Sequence, residues 1–203
     1  MITTKTCVFC EKSKIRNIFA IDDHFYFVAT PGQITDGGYI IIIPKRHVPC
    51  LAALEENEIL LLEKAIEQCT NALLEEYGEL VTIFEHGIVG QTILHAHLHL
   101  VPVKYDFTAH FVQDFPHSGV TNFANWSDLR VAYSHNKTPY LLSRHNAKGL
   151  YVCWNPNAQP QYLRIALANG LNRPERANWR AMDSELDKKL TEETITRLKP
   201  YFL

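Results

Sequence analysis

This 203-residue chain has no long hydrophobic run and no marked excess of charge. Its most apolar stretch, "YIIIIP" at 39–44, falls far short of the roughly 20 residues a spanning helix needs. It reads as a buried strand, and no membrane segment is expected. The start, "MITTKTCVFC", lacks an apolar h-region, so no secretory signal is expected. A formal charge of −2 offers nucleic acid no bulk electrostatic hold, so nucleic acid is not an expected partner. Cysteines are few and odd in number, five, and are not spaced as a disulfide framework. Together these features point to a reducing cytoplasm. No repeat and no low-complexity tract interrupts the chain. At 46% hydrophobic and 21% charged residues, the composition is that of globular protein.

The first half has the clearer pattern. "NIFAIDDHFYFVAT" reads as two short strands turning at Asp22-Asp23. "TPGQITDGG" is a loop, "YIIIIP" a strand, and 55–77 a long amphipathic helix stopped by Gly78. "ELVTIFEHG" and "TILHAHLHLVPV" read as two more strands. One helix among strands with short links predicts an α+β domain, an antiparallel sheet covered by that helix, over 1–104. Residues 105–203 form a C-terminal extension, mainly helical, with a hairpin over "PYLLSRHNAKGLYVCW" and an irregular aromatic stretch over "KYDFTAHFVQDFPHSGVTNFANW".

The chemistry gathers at "GQTILHAHLHLVPV". In a strand, residues two apart share a face, so His95, His97 and His99 line one side while Ala96, Leu98 and Leu100 face a core. Neutral imidazole is a fair nucleophile near pH 7. His97, in the centre, can attack phosphorus; its neighbours can stabilise charge or bind metal. Gly90 lets the backbone approach a ligand, and Gln91 and Thr92 supply donors suited to phosphate oxygens. Cys7 and Cys10 stand at a spacing suited to zinc or to redox exchange, and a metal would need two further ligands from elsewhere.

"HAHLHLV" resembles the motif of the histidine-triad superfamily of nucleotide hydrolases and transferases. "GQT" before it and "IPKRHV" at 43–48 are similar to that family's flanking stretches, and the likeness covers roughly 7–103. The resemblance implies that His97 attacks the α-phosphate of a nucleotide or dinucleoside polyphosphate, forming a covalent nucleotidyl-histidine. It implies that a backbone carbonyl orients the His97 ring and that His99 contacts phosphate. A histidine at 99 leans towards hydrolysis, although phosphorylases of the superfamily keep the triad too. Some members hold a structural zinc, which transfers here to Cys7, Cys10, His47 and His95. Members often pair by extending the sheet, so a homodimer is one assembly the resemblance allows.

Two features depart from the family pattern. Its acidic residue on the loop after the second strand, which holds the ribose hydroxyls, has no counterpart straight after that strand; Asp36 comes later. The often amide-bearing position before "GQT" falls in "FEHG", where His86 either faces the pocket or caps a turn. Arg164 and Trp179 read as packing residues, and His110 as solvated. Two rival readings remain. One is a metal-dependent hydrolase with the triad histidines as ligands. The other is a nucleotide-binding module without turnover.

Overall fold

A computed structural model describes residues 7–145 and 149–203. Eight strands form one sheet: β1 Ile18–Ile21, β2 Phe25–Ala29, β3 Ile40–Pro44, β4 Val81–Gly87, β5 Leu98–Pro102, β6 Val120–Phe123, β7 Tyr140–His145 and β8 Leu150–Trp154. Their order is β1-β2-β3-β5-β4-β7-β8-β6, and each neighbouring pair is antiparallel. Five helices pack on it: α1 Glu56–Tyr77, α2 Thr108–Asp114, α3 Trp126–Asn136, α4 Tyr162–Gly170 and α5 Ser184–Leu198. The α+β architecture and the long helix stand as expected from the sequence. Gly78 closes α1 in the left-handed region, φ 68°, with its N–H on the Leu74 carbonyl at 2.9 Å.

The two sheet faces have different covers. One carries Phe27, Ile40, Ile42, Leu98, Leu100 and Ile83 against the apolar stripe of α1 and against Trp126 and Leu129 of α3. The other carries Ile41, Ile43, Val101 and Phe84 against Phe107, Phe111, Leu163 and Leu167 of the extension. His99 lies opposite both Ile41 and Phe84 in the ladders, so the triad face is the one the extension covers.

The extension holds the expected helices, but three strands as well. β7 lies along β4 from Thr82↔His145 to Gly87↔Tyr140, so residues 1–104 and 105–203 share one sheet. The hairpin is present as β7 and β8, with 146–148 of its turn outside the described residues. The stretch read as irregular contains α2 and β6. A homodimer built by sheet extension would have to use β1 or β6, because β7 occupies the outer edge of β4. No helix among the described residues is long and apolar enough to cross a membrane.

The strand expected over "TILHAHLHLVPV" is shorter than its alternation suggested and starts at Leu98. Pro44 ends β3 and has no N–H to continue the ladder. The Ala96 N–H turns instead to the Val48 carbonyl at 2.8 Å. His95 and His97 therefore sit on an irregular lead-in, held by their own ring hydrogen bonds.

Candidate active site

Cys7, Cys10, His47 and His95 converge, with ligand atoms all within 4.8 Å of one another. Cys7 Sγ lies 3.4 Å from His95 Nδ1, Cys10 Sγ 3.3 Å from His47 Nδ1, and Cys10 Sγ 3.6 Å from His95 Nδ1. Tetrahedral zinc, with bonds of about 2.3 Å to sulfur and about 2.0–2.1 Å to nitrogen, spaces its ligands roughly 3.3–3.8 Å apart. The donor set fits a zinc ion in chemistry, and these three sulfur–nitrogen pairs fit it in spacing. His95 is fully buried, and its Nε2 lies 2.8 Å from the Pro44 carbonyl. A carbonyl only accepts, so Nε2 carries the proton and Nδ1 offers its lone pair to the cluster. Burial pushes His95 down to about 4, keeping that lone pair free at neutral pH.

The same reasoning settles the other rings. His97 Nδ1 lies 2.7 Å from the His95 carbonyl, so Nδ1 holds the proton and Nε2 the lone pair. Burial lowers its pKa, which keeps the ring neutral. Phe9, between the two cysteines, sets its ring edge-on to His97 at 5.4 Å. His99 Nδ1 lies 2.7 Å from Tyr39 Oη. With Tyr39 Oη as the donor there, the arrangement that gives its buried hydroxyl an acceptor, the proton of His99 lies on Nε2. That nitrogen is buried without a hydrogen-bond partner among the described residues. His99 stacks on Phe84, 4.5 Å between centroids and 8° between planes, and its ring centroid is 4.8 Å from that of His97. A lone pair on His97 thus stands beside an unsatisfied N–H on His99. An electrophilic centre bearing anionic oxygens matches that pairing.

Gln91 and Thr92 lie on the segment that leads into the triad. The Gln91 amide donates to the Pro49 carbonyl at 2.9 Å, while its Oε1 is buried without a partner; Thr92 is exposed. Gly90 has φ +73°, and a Cβ there would lie 3.0 Å from the Gln159 carbonyl. The close approach it permits is to the extension of its own chain. Asp36 is held by Arg173 at 2.7 Å and Arg176 at 2.9 Å, which depresses its carboxyl. Asp187 accepts from the Gly32 and Gln33 N–H groups at 2.8 and 2.9 Å, so the loop after β2 is clamped by the extension.

Sequence reasoning missed Tyr39 altogether, since at the head of an apolar strand it looks like core. Arg164 is a packing residue as expected, 5% exposed and bonded to the Gly32, Arg176 and Ala177 carbonyls. It also lies over the Tyr39 ring at 5.5 Å, one step from His99. His110, read as solvated, sits between Tyr105 Oη at 2.8 Å and Asp114 at 3.3 Å. Tyr39→Phe removes the donor that sets the His99 tautomer and orphans a buried Nδ1. A buried hydrogen bond contributes about 0.5–1.5 kcal/mol, so steady-state kinetics should show kcat/KM falling roughly 3–10-fold. Unchanged kinetics would mean that Tyr39 does not set the His99 ring.

These features define a class: a histidine-triad-like protein with an added C-terminal half. More particularly, the chain belongs to the family described as "protein similar to CwfJ C-terminal", whose model matches residues 1–115. It is 29% identical over 110 residues to the uncharacterized HIT-like protein MG132 of Mycoplasma genitalium, covering 51% of this chain and 77% of that one. Among solved structures it is similar to a HIT family protein of Bacillus anthracis, at 25% identity and TM-score 0.46, covering 51% of this chain and 77% of that one. It is also similar to a zinc-bound histidine triad family protein of Mycobacterium smegmatis, at 21% identity and TM-score 0.44, covering 52% and 81% of the two chains.

Proposed function

We propose that this protein is a nucleotide hydrolase or transferase that acts at an α-phosphate through His97. The observation that carries the reading is the His97 Nδ1 contact with the His95 carbonyl at 2.7 Å, which turns a neutral Nε2 lone pair outward beside the His99 N–H. In the first step Nε2 attacks the α-phosphorus. The P–N bond forms, the bond from phosphorus to the leaving group breaks, and the leaving group departs with the electron pair. In the second step water or another acceptor attacks phosphorus, releasing its proton to solvent, and the P–N electron pair returns to Nε2. His99 Nε2–H, with Gln91 and Thr92 nearby, binds the phosphoryl oxygens. Phosphoric anhydrides and phosphoramidates are the substrate classes, and His99 favours water as acceptor.

Zinc, when bound by Cys7, Cys10, His47 and His95, would have a structural role. It would tie the N-terminal segment to the His95 backbone, whose carbonyl orients His97. Four protein donors close such a site, leaving no open position for catalysis. The metal-dependent rival is disfavoured because the group of potential ligands that converges among the described residues takes only His95 from the triad. The ligand would be a nucleotide-type small molecule. A reducing compartment such as the cytoplasm suits a thiolate site with five free cysteines.

The test is hydrolysis of a panel of dinucleoside polyphosphates, nucleotide sugars and nucleoside phosphoramidates in oxygen-18 water. One label in the released nucleoside monophosphate supports attack at the α-phosphate. Label only in the other fragment, or no turnover of any member, would sink the reading.

Because Asp36 is already paired, the site should not discriminate strongly at the ribose. Exchanging ribose for 2′-deoxyribose in the best substrate should change kcat/KM by less than about threefold, under the roughly 1.4 kcal/mol of a tenfold effect. A loss above tenfold would show that a group other than Asp36 holds the sugar hydroxyls.

A further inference from the structure

We infer, resting on the reading in which His99 Nε2–H meets the phosphoryl oxygens, that Gln33 and Arg164 are positioning residues of the active site. Through them the C-terminal extension holds Tyr39, and Tyr39 sets His99. Gln33 is fully buried in the loop between β2 and β3. Its side-chain Nε2 donates to the Thr30 carbonyl at 2.9 Å and to the Tyr39 carbonyl at 2.8 Å. Its Oε1 accepts from the Tyr39 N–H at 2.9 Å. Two carbonyl partners and one N–H partner leave the amide a single orientation. One side chain thus holds both backbone groups of Tyr39, whose hydroxyl lies 2.7 Å from His99 Nδ1.

The extension grips the same loop at Gly32. Asp187 of α5 accepts from the Gly32 and Gln33 N–H groups, and Arg164 of α4 donates from Nη2 to the Gly32 carbonyl at 2.6 Å. Two side chains of opposite charge therefore fix the peptide groups on both sides of Gly32. The fit admits no larger residue: Gly32 has φ +77°, and a Cβ there would lie 2.4 Å from Trp179 Cβ and 2.6 Å from Arg164 Nη2. Arg164 also reaches Tyr39 directly, its guanidinium 5.5 Å from the ring centroid. Its hydrogen bonds go to the carbonyls of Gly32, Arg176 and Ala177, and no ion pair joins it to a carboxylate among the described residues. The charge is left to act on Tyr39. Burial pushes the Tyr39 hydroxyl up to about 12 and Arg164 draws it back, which favours that hydroxyl as a donor to His99.

A double-mutant cycle tests this relay. Steady-state kinetics on the best substrate of the panel compare wild type with Tyr39→Phe, Arg164→Met and the double variant. Arg164→Met should lower kcat/KM roughly 3–10-fold, as Tyr39→Phe does, and should slow the Tyr39→Phe variant by less than about twofold more. Gln33→Glu, which keeps the shape but loses both N–H donors, should show the same dependence on the Tyr39 hydroxyl. Nitrogen-15 spectra of the imidazoles add a readout that in wild type needs no variant to fold. His99 should be protonated on Nε2 alone, with Nδ1 hydrogen-bonded, and in Arg164→Met the Nδ1 signal should move towards that of a free imidazole nitrogen. Losses that multiply in full in the double variants, or a Tyr39→Phe variant as fast as wild type, would overturn the proposal and leave the His97 reading intact. So would a wild-type His99 protonated on Nδ1, or a His99 spectrum unmoved by Arg164→Met. Failure of wild type to turn over any member of the panel would instead overturn the reading on which the proposal rests, and the spectra would still decide whether the extension sets His99.

Discussion

His97→Ala is expected to abolish turnover, by on the order of 10⁴-fold or more, with the fold and the zinc site retained. The size follows from the lone pairs. Of the imidazoles in and beside the triad, His95 turns Nδ1 to the cysteines, His99 Nδ1 accepts from Tyr39, and His86 Nε2 accepts from Leu163. His97 Nε2 is the remaining lone pair, and no hydrogen bond among the described residues occupies it. No neighbour can take over the attack. Stability should change little by comparison. The ring's hydrogen bond is to a carbonyl two residues back, and Phe9 packs on it only edge-on. The check is kcat for the variant alongside its thermal unfolding and metal content. Residual activity above about one per cent would remove His97 from the nucleophile's role, and loss of metal would favour the reading in which the triad histidines are ligands.

Removing the metal should have the largest effect on stability. Purified protein should contain one zinc per chain, and Cys10→Ser should contain almost none. A ligand present at about 1,000 times its dissociation constant adds roughly 4 kcal/mol to folding. In a chain of this size that corresponds to a fall in Tm of about 8–16 °C. Without metal, burial and the adjacent Cys7 thiol push Cys10 up to about 11, so its thiol stays protonated, and the two cysteines share no ligand. They then contribute little to holding the N-terminal segment. Catalysis should fall as well, because the carbonyl that orients His97 belongs to a metal ligand. Elemental analysis and calorimetry of wild type, Cys10→Ser and His99→Ala separate the cases. Zinc kept in Cys10→Ser, or lost in His99→Ala, would contradict the assignment of ligands.

The parts of this protein readable from sequence are those carried by local pattern. The alternation at 95, 97 and 99 marks one face, and the spacing of Cys7 and Cys10 marks a metal or redox pair. The long helix and its glycine stop are written in its periodicity. What escaped notice depends on chain segments that meet only after folding. Tyr39 looks like any aromatic at the head of a buried strand; its hydroxyl acquires meaning from His99, 60 residues away. The Leu163 N–H matters only because α4 begins against β4. Alternation also overstated β5, since the register of residues 95–97 is set by Pro44 and Val48 on another segment. That β7 would lie against β4, joining the extension to the sheet, could not be read from either strand alone.

The central claim is a covalent bond between His97 and a nucleotide. It is tested most directly by weighing the intact protein after brief incubation with a dinucleoside polyphosphate and a quench in mild base, followed by peptide mapping. The account predicts a mass increase of one nucleotidyl group, mapped to the peptide containing His97 and absent from His97→Ala. Turnover without any adduct in wild type, at times shorter than one catalytic cycle, would contradict it, as would an adduct that persists in the variant.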